Sequence, residues 1–323
     1  MNLSRFHIII HRIPVILFIW LFVNSNSFAR IDTLKVNSSP VPKNFYKTDS
    51  VFSFRSQKGY FPSLIYNVGE QALAPFHFTP KQWLYTAATV GSTLALIQFD
   101  GDLDEWFRTK KQEYKWVNGF SPVITELGGN YGYYALGAIG ITYAVFNNKK
   151  GVETSLLATQ ALITSGIWVQ LIKRGTGRER PNASYSNSRK EGGYWYGPMA
   201  QYDQDLAIQK PGSSFDAFVS GHTATAFSIA TVFASRYNQN VIVPILCYST
   251  ATLVGLSRLT EHQHWASDIL GGAFLGYFCG KQVVSHFNKT HQNVSVSTSA
   301  KSKTKVEFSL TQNGNQVGFS LKW

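Results

Sequence analysis

Six apolar segments, at residues 82–98, 131–147, 152–173, 221–236, 240–257 and 264–286, constrain this chain more than any other feature. Each is long enough for a helix and rich in Ala, Gly, Ser and Thr, which let helix backbones approach closely. An amphipathic stretch, DLDEWFRTKKQEY at 102–114, lies between the first two. With no strand pattern among them, the segments predict an all-α fold, a helical bundle of about six core helices. Charged residues make up only 15% of the chain and hydrophobic ones 44%, which excludes a largely disordered protein. The tail departs from this pattern. KVEFSL (305–310) and VGFSLKW (317–323) alternate around Gln312-Asn313-Gly314-Asn315 and predict a small C-terminal β-hairpin, too little sheet for a barrel.

The N-terminus carries Arg5 and Arg12, then the apolar run IPVILFIWLFV, then Ser27-Phe28-Ala29. That is the layout of a secretory signal peptide over 1–29, with an uncleaved membrane anchor as the alternative. Export to the periplasm or cell envelope is expected. Residues 30–80, with Pro40, Pro42, Pro62, Pro75 and Pro80, read as a loose exported leader that packs onto the domain; 81–288 form the helical domain and 289–323 the tail.

Whether the six segments span a membrane is read from two cues. Cleavage of the signal and three spans would put the loop after residue 173 in the cytoplasm, whereas Lys149-Lys150 favours the opposite sense. A water-soluble exported bundle removes the conflict and is preferred, with membrane association left open. The formal charge of +12 suits anionic substrates or anionic lipid surfaces. No basic run with interleaved aromatics appears, so no nucleic-acid partner is expected. Cys247 and Cys279 sit in apolar segments and read as buried thiols, with no ligand-spaced neighbour to suggest a metal site.

Three clusters carry chemistry. Lys173-Arg174-Gly175-Thr176-Gly177-Arg178-Glu179-Arg180-Pro181 can wrap an oxyanion, although a basic helix end is the commoner meaning of such a run. Ser220-Gly221-His222 opens a small-residue helix, where a capping serine exposes backbone N–H groups to an anion. In the third, Thr260 and Gln263 have capping-box spacing, which predicts a helix beginning near Glu261. On that helix His264 and Asp268 share a face, in a row continued by Gly272, Gly276 and Gly280, while His262 has no carboxylate one turn on. Arg258 lies across the turn. Cations, backbone donors, a carboxylate-oriented histidine and a second histidine suit phosphoryl transfer through a phosphohistidine.

Taken together, Lys173-x6-Arg180-Pro181, Ser220-Gly221-His222 and Ser257-Arg258-x5-His264-x3-Asp268 resemble the signature of the type 2 phosphatidic acid phosphatase and vanadium haloperoxidase superfamily. The resemblance implies a metal-independent phosphatase without cofactor, acting on a phosphorylated small molecule or lipid. It implies His264 as nucleophile, Asp268 as its orienting group and His222 as general acid and base. Lys173, Arg180, Ser220, Gly221 and Arg258 would bind phosphate. The alternatives are a vanadate-dependent haloperoxidase and a non-catalytic envelope binding protein. Val219 stands where the family usually has proline. Residues 182–218 read as a functional lid or a mobile insert, with Tyr194, Trp195 and Tyr196 as candidate acyl-chain contacts or packing aromatics.

Overall fold

The computed structural model describes residues 59–301, 307–313 and 316–322; the expected signal peptide and residues 30–58 of the leader lie outside them. The described residues include the helices α1 (Tyr60–Leu73), α2 (Pro80–Ile97), α3 (Asp100–Glu113), α4 (Val117–Glu126), α5 (Asn130–Val145) and α6 (Lys149–Thr176). After two short helices, α7 (Ser186–Lys190) and α8 (Gln204–Gln209), come α9 (Gly221–Arg236), α10 (Ile242–Thr260) and α11 (Ala266–Lys301). All six apolar segments are helices, and the fold is all-α. The C-terminal hairpin is no part of the body that defines it. Glu307–Asn313 and Gln316–Lys322 pair antiparallel there, but their connecting turn lies outside the described residues.

Helix α9 sits at the centre, packed against α6, α10 and α11. The glycine row predicted on α11 is what admits it. A Cβ on Gly272 would lie 2.5 Å from the Ser220 carbonyl oxygen, and one on Gly276 would lie 2.2 Å from that of Ala224. Around this pair, Leu136, Leu157, Ala158, Ala161, Val232 and Val283 close one apolar cluster; Phe227, Ala251, Val254 and Ala273 close another.

The peripheral helices are inside out. Helix α1 buries Ser63, Asn67 and Gln71 and exposes Phe61, Ile65 and Leu73. Helix α2 buries Thr89 and Thr93 and exposes Trp83, Leu84, Val90 and Leu94; α4 buries Ser121 and Thr125 and exposes Phe120 and Val123. Water disfavours this arrangement, whereas hydrocarbon favours it, because there the polar groups must find partners inside the protein. They do: Asn67 Nδ2 donates to Gln160 Oε1 at 3.1 Å, and Gln71 Nε2 donates to Thr164 Oγ1 at 3.1 Å and to Gln282 Oε1 at 3.0 Å. Helices α6 and α10 are also long and apolar enough to cross a bilayer. The preference for a water-soluble bundle is therefore overturned: the helical body is built for a membrane. Its dilution by Ser and Thr was misleading, since those residues face inward between helices.

Residues 60–73, in the leader expected to pack onto the domain, form a helix that docks on α6 and α11. Its polar stripe, not an apolar one, is the buried face. Both cysteines are free thiols, Cys279 buried and Cys247 partly so.

Candidate active site

The three clusters meet at one end of the central helices. Helix α6 ends just after Lys173, because Gly177 takes a left-handed backbone (φ +57°) and a Cβ there would lie 2.2 Å from the Gly197 carbonyl oxygen. The chain then runs through Arg178 and Arg180. Ser220 caps α9, its Oγ accepting from Thr223 Oγ1 at 2.9 Å and more weakly from Thr223 N–H at 3.4 Å. That leaves Gly221 and His222 in the first turn of α9, where backbone N–H groups have no partner within the helix. Arg258 stands in the last turn of α10.

The cations are ordered by an acid that the sequence did not single out. Asp216 accepts from Arg180 Nε at 2.6 Å and lies 3.4 Å from Lys173 Nζ. Arg180 Nη1 also donates to Gln263 Oε1 at 2.8 Å. Arg258 Nη1 reaches Thr125 Oγ1 at 3.4 Å, while its buried Nε has no hydrogen-bond partner within the protein. Such a donor, on a guanidinium at the site, is suited to an incoming oxyanion.

His264 is 2% exposed, and its Nδ1 lies 2.8 Å from the Ala217 carbonyl oxygen. A carbonyl can only accept, so Nδ1 carries the proton and Nε2 keeps its lone pair. Asp268 Oδ2 is 3.6 Å from the same Nδ1, too far for a hydrogen bond. Burial holds His264 well below the ordinary histidine range, and the charges of Arg180, Lys173 and Arg258 push it the same way. A smaller push comes from His222, so these four groups act on one locus. His222 itself rests against the Gly128-Gly129 turn, where a Cβ on Gly129 would lie 3.0 Å from its Nε2.

The expected helix start at Glu261 is corrected: α11 begins at Ala266. Thr260 Oγ1 bonds back to the Ser257 carbonyl, and Gln263 is spent on Arg180. His262 is left-handed at φ +52°, so it cannot lie inside a right-handed helix that begins at Glu261. Asp268 nevertheless reaches back, its Oδ2 accepting from Trp265 N–H at 2.8 Å. His262, unassigned by its spacing, has a partner: its Nδ1 lies 2.9 Å from Asp104 Oδ1 on α3. Its ring lines a cleft with Arg108, Lys111, Gln112 and Asn118.

Residues 154–292 match the family model described as the PAP2 superfamily. The chain is 37% identical over 75 residues to a lipid A 1-phosphatase from Porphyromonas gingivalis, covering 23% of this chain and 17% of that protein. It is 27% identical over 118 residues to a lipid A 1-phosphatase from Rhizobium etli, covering 36% and 44%. A probable diacylglycerol pyrophosphate phosphatase 1 from Schizosaccharomyces pombe is 28% identical over 129 residues, covering 35% and 45%. The chain thus spans less than half the length of each of these relatives.

Two solved structures are similar, both with a TM-score of 0.40. One is Aquifex aeolicus LpxE, 21% identical, covering 56% of this chain and 93% of that one. The other is a transmembrane PAP2-type phosphatidylglycerolphosphate phosphatase from Bacillus subtilis, 18% identical, covering 71% and 94%.

Lys173, Arg180, Ser220, Gly221, His222, Arg258, His264 and Asp268 come together at this one site, whereas His262 is held apart on Asp104; Asp216 and Ala217 are additions. Both come from residues 182–218, which fold into short helices and turns and supply the site's wall. No sequence spacing ties Asp216 to Lys173 or Arg180; only the long insert pointed there.

Proposed function

We propose that this protein is a membrane-embedded PAP2-type phosphatase that removes phosphate from a lipid phosphate or lipid pyrophosphate through a phosphohistidine on His264. One observation supports this above all: a buried histidine with Nδ1 committed to Ala217 and Nε2 free, in the field of Lys173, Arg180 and Arg258. The lipid character of the substrate rests on the apolar outer faces of the helices and on the names of the relatives. Export into the envelope rests on the sequence of residues 1–29.

In this reading, Lys173, Arg180 and Arg258 take the nonbridging oxygens of the phosphoryl group, with the Gly221 and His222 amides beside them and Ser220 capping that turn. Three fixed cations supply the charge stabilisation that a metal ion gives other phosphatases, so the reaction needs no metal. The Nε2 lone pair of His264 attacks phosphorus as the P–O bond to the leaving group breaks. Burial and then the charges of Arg258, Lys173 and Arg180 hold the His222 pKa down to about 3 in the free enzyme. The negative charge of the bound phosphoryl group offsets those cations, so His222 takes up a proton with the substrate and gives it to the departing oxygen. His222 then takes a proton from water, whose oxygen attacks phosphorus and breaks the P–N bond, returning His264 and releasing inorganic phosphate. Ala217 and Asp268 face Nδ1–H, the side of the ring that becomes positive.

The test is phosphate release by detergent-purified protein from phosphatidic acid, diacylglycerol pyrophosphate and lipid A, with and without EDTA. Release that resists EDTA and vanishes in His264→Ala is expected. Undiminished release by His264→Ala overturns the proposal.

A further inference from the structure

We infer that Arg178 and Asp100 form a positioning pair for Asp268, setting the carboxylate that faces His264 from a network entirely closed to solvent. The inference rests on the phosphatase reading above. Arg178 lies between the two phosphate-binding cations of its segment, yet it binds no anion site. Arg178, Asp100 and Asp268 are all 0% exposed.

The guanidinium forks across two acids. Its Nη1 donates to Asp268 Oδ1 at 2.5 Å and to Ser267 Oγ at 2.7 Å; its Nη2 donates to Asp100 Oδ2 at 2.7 Å and to the Gly192 carbonyl at 2.6 Å. Trp195 and Trp265 flank it, their ring centroids 4.6 and 5.6 Å from Cζ. Asp100 also accepts from Ser267 N–H at 3.0 Å and from the Ser267 hydroxyl, so it grips the residue next to Asp268.

Each oxygen of Asp268 is thereby assigned. Oδ1 is held by Arg178, and Oδ2 is held by Trp265 N–H and turned toward His264 Nδ1. A buried carboxylate without a counterion would take up a proton and lose its attraction for an imidazolium. Arg178 opposes that by placing a cation on Oδ1. Asp100 shares the guanidinium charge, so Arg178 does not wholly neutralise Asp268. Lysine, a point charge, cannot bridge two carboxylates in this planar way. The pair reaches beyond the family-matched segment, since Asp100 lies on α3, ahead of residue 154.

A double-mutant cycle tests this, read as kcat and KM for phosphate release from phosphatidic acid. Arg178→Gln should lower kcat by about 10–100-fold, as removal of a group supporting a catalytic ligand does, with KM changed less than about 3-fold. Added to Asp268→Asn, it should cost less than about 2-fold more, because the group it acts through is already gone. Losses that multiply across the two sites would overturn the inference. If Arg178→Gln does not fold, Asp100→Asn, an isosteric change, is expected to lower kcat several-fold in the native background and not in Asp268→Asn. An equal loss in both backgrounds overturns the inference. A native protein that releases no phosphate fails the phosphatase reading itself, and this inference with it; an active native protein with multiplicative losses fails the inference alone.

Discussion

The Nδ1 of His264 lies 2.8 Å from the Ala217 carbonyl oxygen and 3.6 Å from the nearer oxygen of Asp268. A backbone group, which no side-chain substitution removes, therefore fixes the tautomer, and the carboxylate acts through charge at slightly longer range. Asp268→Asn should accordingly lower kcat by about 10–100-fold, well short of the loss in His264→Ala. Steady-state turnover of both variants checks it; equal losses would mean that Asp268 alone orients the ring.

His222 is assigned to the leaving oxygen, so its importance should follow the leaving group. His222→Ala is expected to slow release from an alkyl phosphate such as phosphatidic acid by about 10²–10⁴-fold. With an aryl phosphate whose phenol leaves without a proton, the first step should suffer far less. The ratio of the two losses, measured in single turnover, is the readout; identical losses would remove His222 from this role.

Burial and then the cations at Arg180, Lys173 and Arg258 hold His264 neutral well below its ordinary range. A neighbouring cation disfavours the imidazolium, so deleting one must raise the pKa of the free enzyme's His264. Lys173→Gln should therefore move the acid limb of kcat/KM to higher pH, since protonation then silences the nucleophile sooner as pH falls. The pH profile of kcat/KM decides this. An unmoved acid limb, or one moved to lower pH, contradicts it.

His262 should behave as a pin and not as a catalyst. Its ring binds Asp104, which also accepts from Arg108 Nε at 2.7 Å, tying the His264 loop to α3. Asparagine tolerates the left-handed backbone at φ +52° but cannot reproduce the ring's reach. His262→Asn is expected to keep kcat within about 3-fold and to destabilise the protein by roughly 1–3 kcal/mol, the cost of a buried polar partner lost. Thermal unfolding in detergent, alongside turnover, separates the two effects.

The helices and the phosphate-binding segments were legible because local periodicity and short spacings encode them. Gly272, Gly276 and Gly280 announced a close helix contact, and α9 is the helix that fills it. Three things were not legible. The buried stripe Ser63-Asn67-Gln71 reads as a loop-like leader until a hydrocarbon surrounding makes polar-inside the favourable sense. The start of α11 is displaced to Ala266 because Gln263 binds Arg180, a contact 83 residues away in sequence. Asp216, Ala217 and Asp100 enter the site through tertiary folding alone, and one of them contributes only its backbone.

The most direct test of the whole account is to trap the intermediate. Protein mixed with lipid carrying a radiolabelled terminal phosphate, then quenched within a turnover, should retain label that is acid-labile, alkali-stable and mapped by peptide digestion to His264. The label should be absent from His264→Ala and should accumulate if His222→Ala slows hydrolysis of the P–N bond. Continued phosphate release without any label on His264, or label on another residue, would contradict the phosphohistidine mechanism.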